Sequence, residues 1–412
     1  MSDLADLRVA ADSKALRPLR ILYFHRTQSR DGQSVHIDEL IAALRELGHQ
    51  VVIVEPPHAA AAKFGDEPSA ARAAKKYIPG PLYELAELGY SLVEYVRLAA
   101  ACRRFKPDII YQRANIYMLS GWLCARLFRL PLLLEVNAPL AEERRRFAGL
   151  RFPRLAARTE EMVWRAADVV LPVTQVLGRF LERAGVARAR IRVLPNGVDL
   201  DRFAPGDDDA LRRRLSLAGK LVLGFTGFVR EWHHADAIVA LLAGDTLPAN
   251  SHFLIVGDGP VKDALLDQAR RLGVADRVTI TGIVPRDAVA QYVRCFDIAL
   301  QPSVVAYASP LKMLEYMALG RAIVAPDSEN IRELLTDGES ALLIEPGDLF
   351  ALAAALRRLA FDEALRHRLG GAARRTVLER HLTWRNNASV VAELARAGIA
   401  AREPTSRVVA TQ

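Results

Sequence analysis

The chain has 412 residues, 51% of them hydrophobic and 25% charged, and a formal net charge of +8. That length exceeds one typical core and predicts two domains of ordinary globular composition. Three widely separated cysteines (Cys102, Cys124, Cys295), with no CxxC or Cys/His cluster, argue against a disulfide framework or a zinc site and fit a reducing cytosol.

Residues 1–17 and 402–412 are expected to be disordered tails. The first of them carries Asp3, Asp6 and Asp12 and no apolar core, so no secretory signal is predicted. Residues 20–24 read as a strand, Asp31-Gly32 as a loop, 35–47 as a helix closed by Gly48, and 51–54 as the next strand. Residues 59–80 are Ala-, Lys- and Pro-rich and read as a long flexible loop. Strands are predicted at 108–111 and 132–136. The apolar stretch 117–136 is broken by Arg126, Arg129 and Pro131, which predicts a helix followed by a buried strand, not a membrane span. Strands at 168–173 and 191–194 end the first half, and Pro195-Asn196-Gly197 turns the chain out of it.

Residues 199–219 read as a linker. Its Asp199, Asp201 and Asp207-Asp208-Asp209 read as caps and turns, not as metal ligands. The strand–helix alternation then restarts, with strands at 221–226, 253–256, 278–281, 298–301, 322–325 and 341–344. Helices are expected over 349–380 and 384–397. This predicts an α/β protein of two doubly wound parallel-sheet domains, 18–198 and 220–381, facing a central cleft where the strands end.

The basic excess is lopsided. Residues 1–200 hold 30 basic and 22 acidic side chains, whereas residues 201–412 hold 26 of each. The densest patch is Arg144, Arg145, Arg146, Arg151 and Arg154, interleaved with Phe147, Leu150 and Phe152. It suits an anionic membrane surface or a solvated helix face. No nucleic-acid-binding motif accompanies it.

The most informative segment is 309–320. Ser309 suits a helix cap, Pro310 its first turn and Gly320 its stop. Leu311, Leu314, Met317 and Ala318 form an apolar stripe, with Lys312 and Glu315 together on the other face. The amides at such a helix start favour an anion, and Lys312 adds a full charge there. Glu315 can accept hydrogen bonds from sugar hydroxyls. Gly257 and Gly259, after the strand at 253–256, and Gly32, before the helix at 35–47, suit close approach to a diphosphate. Arg230, Trp232, His233 and His234 follow Gly227 at another strand end, and Arg230 suits phosphate best. His36, on the first turn of the 35–47 helix, suits either the cleft or a structural role. Glu135 and Asn137, ending an apolar strand, need partners, a sugar among the candidates.

Taken in this order, Gly32, Pro195-Asn196-Gly197, Val256 to Pro260 and the 309–320 helix resemble the retaining glycosyltransferases of family four, which have the GT-B fold. The resemblance runs over about residues 20–398. The segments at 31–37 and 135–140 resemble a bacterial branch that builds envelope polysaccharides. The resemblance implies a nucleotide-sugar donor, a glycan or lipid-linked acceptor, and no metal or other cofactor. It implies that a last helix, 382–398, crosses back onto the first domain. It also implies that Glu315 binds the ribose, and that Ser309, Pro310, Leu311 and Lys312 bind the diphosphate beneath the Gly32 loop. Composition and hydropathy predict a cytoplasmic protein, soluble or at most peripheral on the inner face of the plasma membrane. Counting without gaps from Gly227, the family's phosphate-binding Arg and Lys positions carry Phe228 and His233, and its second glutamate falls at Tyr307. Arg230 and Lys312 are expected to supply the missing charge. An epimerase of the same architecture and a non-catalytic nucleotide-sugar-binding module are the alternatives.

Overall fold

The computed structural model describes residues 17–28, 32–56, 79–147, 149–206 and 208–402. The expected tails lie outside these except for Arg17 and Arg402, as do residues 59–78 of the expected loop, Asp31 and Asp207. Arg17 and Arg402 are tied down, to Asp108 at 3.0 Å and to Asp168 at 2.6 Å respectively.

The first sheet contains β1 (Arg20–Phe24), β2 (Gln50–Val54), β3 (Ile109–Arg113), β4 (Leu132–Val136) and β5 (Val169–Pro172), in the order β2-β1-β3-β4-β5. All neighbours are parallel. β3 and β4 are buried at every residue, as apolar runs covered by helices on both faces should be. The helices are α1 (Gly32–Glu46), α2 (Gly80–Phe105), α3 (Ser120–Phe128), α4 (Leu140–Phe147), α5 (Pro153–Ala166) and α6 (Gln175–Arg183). The expected strand at 191–194 is a correction. Only Ile191 bridges to Val170, and Arg192 and Leu194 donate to β5 carbonyls before the chain leaves for the second sheet.

The second sheet contains β6 (Leu221–Thr226), β7 (Ser251–Val256), β8 (Val278–Ile280), β9 (Ile298–Leu300), β10 (Ala322–Pro326) and β11 (Leu342–Ile344), in the order β11-β10-β9-β6-β7-β8, again parallel. A short helix α7 (Asp209–Arg214) precedes it, with the Asp208 carboxylate accepting from Leu211 N–H as the cap expected there. The later helices are α8 (Ala235–Ala243), α9 (Lys262–Arg271), α10 (Val289–Arg294), α11 (Leu311–Ala318), α12 (Glu329–Arg332), α13 (Leu349–Phe361), α14 (Glu363–Glu379) and α15 (Trp384–Ala400).

α15 crosses back. Its Trp384, Ala388, Val391, Ala392 and Ala395 complete the apolar cluster that α1 and β1 build with Ile37, Leu40, Leu44 and Tyr23. The outgoing and returning segments touch where Val198 bridges Thr383, and a Cβ on Gly197 would meet the Trp384 nitrogen at 2.4 Å. In each sheet the strand order reverses once, between β1 and β3 and between β6 and β9. Ligands of doubly wound sheets bind at such switch points. α1 starts after β1, and α11 after β9 beside β6, so the two switch points face each other across the cleft.

Candidate active site

The end of β6 and the start of α11 are pinned together. The Tyr316 hydroxyl accepts from Thr226 N–H at 2.8 Å and lies 2.9 Å from Thr226 Oγ1. This fixes Lys312, one turn earlier, with Nζ 3.8 Å from the centre of the Phe225 ring. A Cβ on Gly227 would come within 3.3 Å of that Nζ, and Gly227 has φ +112°. Only glycine adopts this backbone without strain while leaving the ammonium room. Burial pushes the Lys312 pKa down to about 7, an effect that nearby Glu315 opposes.

His233 ends a short turn after Arg230 and accepts Arg230 N–H on Nδ1 at 3.0 Å, which leaves its proton on Nε2. Burial first, then Lys312 and Arg230, push its pKa down to about 3. This residue therefore presents a neutral N–H donor. Arg230 is exposed, its guanidinium stacked over Phe228 at 4.9 Å and Trp232 at 5.2 Å.

Glu315, one turn into α11, is buried, and burial raises its pKa while Arg286 and Lys312 oppose that rise. Arg286 Nη1 is 3.7 Å from its carboxylate. The other face of Arg286 meets Glu39 of α1 at 3.0 Å, and Glu39 also holds Arg202 of the linker. Neither Arg286 nor Glu39 was expected from the sequence. Their pairing joins residues 247 positions apart, and no local spacing carries such a signal.

Several expectations are corrected here. Ser309 does not cap α11: Pro310 takes the cap position, while Ser309 Oγ accepts Asn196 N–H at 3.2 Å and its carbonyl accepts Asn196 Nδ2–H at 2.5 Å. Asn196, read only as a turn residue, thus joins the two domains. Tyr307 packs against the first domain's core, with its carbonyl held by Thr174 at 3.0 Å and its ring near Glu143. Gly257 and Gly259 let two loops of one sheet touch. A Cβ on Gly257 would meet Gly227 O at 2.1 Å, and one on Gly259 would meet Val229 O at 2.0 Å. Gly32 does lie at the cleft, its Cβ position 3.7 Å from Leu311.

His36, Glu135 and Asn137 are joined in one network of internal partners. Glu135 accepts from Tyr111 at 2.8 Å, from Arg113 and from Asn137, and lies 3.0 Å from His36 Nε2. Burial raises its pKa, yet His36 and Arg113 outweigh that and hold it well below the usual carboxylate range. His36 Nδ1 reaches Asn196 Oδ1 at 2.6 Å, and its ring stands edge-on to Trp384. These residues brace the switch point from below. Of the basic patch, Arg144 is engaged with Glu87 at 2.6 Å and stacks on Tyr83, while Arg145, Arg146, Arg151 and Arg154 are exposed. Among the described residues no three His, Cys, Asp or Glu side chains gather as a metal would need.

The arrangement suits a bound anion with an attached polyol. The first amides of α11 lack intrahelical acceptors, Lys312 and the His233 Nε2–H flank them, and a buried carboxylate lies one turn deeper. Comparison with known proteins agrees. Residues 30–202 match the family model described as Glycosyltransferase Family 4, and residues 207–362 match that described as Glycosyl transferases group 1. A D-inositol 3-phosphate glycosyltransferase of Nocardia farcinica is 27% identical over 64% of this chain and 61% of its own length. The sulfoquinovosyl transferase SQD2 of Arabidopsis thaliana is 27% identical over 83% of this chain and 66% of its own. The match thus spans a little under two thirds of each of these relatives. The solved structure of Anabaena HepE in complex with UDP superposes with a TM-score of 0.70 at 18% identity, over 92% of this chain and all of that one.

Proposed function

Because the chain is a glycosyltransferase of family four with the GT-B fold, we propose that it transfers a sugar, with retention, from a nucleoside diphosphate sugar to a glycan or lipid-linked acceptor of the cell envelope. The observation that supports the donor side is the start of α11, where Lys312 and buried Glu315 lie one turn apart, the first assigned here to the diphosphate and the second to the ribose. HepE, a fold neighbour, is seen with UDP and with UDP-glucose, which favours a uridine donor. The acceptor class rests on the resemblance at 31–37 and 135–140.

The reaction follows from the leaving group. The bond from the anomeric carbon to the diphosphate breaks, and the acceptor oxygen bonds that carbon on the same face. The acceptor's proton passes to the departing phosphate oxygen. The negative charge that develops is met by fixed dipoles of α11, by Lys312 and by the His233 N–H, which need no reorganisation during the step. Arg230 is assigned to the outer phosphate as the exposed cation nearest His233 in sequence. Closure of the cleft excludes water from the donor.

The test is a thermal-shift screen with UDP, GDP, ADP and their sugars, because a ligand that binds only the folded form raises the melting temperature. A uridine-selective shift that Glu315→Ala removes, with loss of sugar transfer, is expected. No shift with any nucleotide, or full transfer by Glu315→Ala, overturns the reading. Incubation with donor alone separates the rivals, since an epimerase then yields an isomeric sugar.

A further inference from the structure

Over its first four turns helix α2 turns polar residues into the protein, and only its last turns bury apolar ones, Leu98, Ala99, Ala101 and Cys102. Glu94 is buried and pairs with Arg26 at 2.5 Å, and Ser91 is bonded to the Tyr117 carbonyl. Glu84, also buried, takes the Tyr117 hydroxyl at 3.1 Å and Phe152 N–H at 2.9 Å. Glu87 and Arg97 are half-buried in pairs with Arg144 and the Glu55 carbonyl. The outward face is Leu82, Leu85, Ala86, Gly89, Leu92, Val93, Val96 and Ala100, with no charged residue among them. Leu82 is 58% exposed, Leu92 68%, Val93 52% and Val96 61%. The spacing is helical throughout, so the stripe is continuous over about 27 Å at 1.5 Å per residue. A helix on a water-facing surface normally shows the reverse polarity.

Cations flank both ends of the stripe. At its start, Arg151 lies against Gly80, and the Arg144–Glu87 pair fixes α4 beside the first turns. α4 thereby presents Arg145, Arg146 and Phe147, the last 67% exposed. At its end Arg103, Arg104 and Lys106 are exposed. This charge pattern selects the occupant. A second copy of the chain laid on the stripe, in either direction, sets arginines against arginines. An anionic bilayer instead meets both basic ends with phosphates and the stripe with acyl chain.

We propose that the outer face of α2, with the basic rim of α4, docks this protein on an anionic membrane surface. The surface belongs to the first domain and does not depend on the assignment of the donor site. Docking there sets the first domain at the depth of lipid-borne substrates while the second sheet stays free to move.

The test is flotation of the full chain with phosphatidylcholine vesicles, with and without about 30% phosphatidylglycerol. Binding is expected only to the anionic vesicles and is expected to weaken as salt rises. Leu92→Glu with Val96→Glu, both at exposed positions, is expected to cut binding on the order of tenfold or more. Melting temperature and nucleotide thermal shift should stay unchanged. Arg145→Glu with Arg146→Glu is expected to weaken binding and flatten its salt dependence. Failure of the wild-type chain to float with anionic vesicles overturns the proposal. So does a dimer in light scattering that Leu92→Glu and Val96→Glu disperse, or equal binding by all variants.

Discussion

Lys312 makes donor affinity depend on pH in a direction that can be worked out beforehand. In the ligand-free protein its pKa is pushed down to about 7 by burial. A bound diphosphate favours the ammonium form and draws that pKa back up. Affinity from this charge is therefore complete below pH 7 and falls as pH rises, because binding must then take up a proton. At pH 7 about half of the sites are charged, and well above it each unit costs up to about 1.4 kcal/mol, so between pH 7 and pH 9 the dissociation constant should rise by about 50-fold. His233, at about 3, stays neutral throughout and contributes no slope. Isothermal titration with the nucleotide sugar giving the largest thermal shift measures this directly. A sugar-linked diphosphate has no ionisation of its own in that range. Repeating the titration in buffers of different ionisation enthalpy counts the protons taken up. Lys312→Met should bind more weakly at pH 7 and show a flat profile, and Glu315→Gln should keep the slope. A flat wild-type profile, or the same slope in Lys312→Met, refutes the reasoning. The free protein carries the opposite signature. The folded state depresses this base below its ordinary value and so binds fewer protons than the unfolded chain, which makes Lys312 destabilising at neutral pH. Lys312→Met should therefore raise the ligand-free melting temperature.

Arg286→Ala leaves Glu315 without its nearest cation, and is expected to weaken nucleotide binding by about tenfold, with partial recovery in Arg286→Lys; unchanged affinity in both separates Arg286 from the site. Glu160, which accepts Leu140 N–H at 2.9 Å and Ala141 N–H at 3.2 Å, has its pKa pushed up to about 8 by burial. Its folded value lies above its unfolded one, so its contribution to stability is complete below about pH 4.5 and is lost as pH rises to 8, by at most about 1.4 kcal/mol per unit. Thermal melts from pH 5 to pH 9 should fall less steeply for Glu160→Gln than for the wild type. Gly257→Ala, which sets a Cβ 2.1 Å from Gly227 O at φ +144°, should cost about 3 kcal/mol and lower the melting temperature by about 6 °C or more. Gly32→Ala, with only a 3.7 Å contact to Leu311, should melt as wild type.

The parallel strands were legible because each is a short apolar run bounded by turn residues, which is what a sheet buried on both faces requires. The α11 segment was legible because Pro310 and Gly320 bracket a helical stripe. What the sequence hid has two physical sources. Long-range partners leave no local trace: Glu135 looked like an unmet carboxylate, yet Tyr111 and Arg113 come to it from the neighbouring strand. Asn196 looked like a turn residue, yet it bonds Ser309 and His36 from opposite domains. The second source is inverted polarity. α2 went unread because the usual rule places apolar residues inward, and over its first turns Glu84, Ser91 and Glu94 take those positions, with apolar residues buried only from Leu98 on.

The returning helix α15 sets an order of events in synthesis. Trp384 and the alanines behind it cover a face of the first sheet, yet they are made long after β5, the last strand of that sheet, and after the whole second sheet. A nascent first domain must therefore wait with Tyr23, Ile37 and Leu40 uncovered on one side while the ribosome finishes its neighbour. During that interval the exposed face is open to chaperone binding or to aggregation. The half of the molecule that leaves the ribosome first is thus the half that completes its core last.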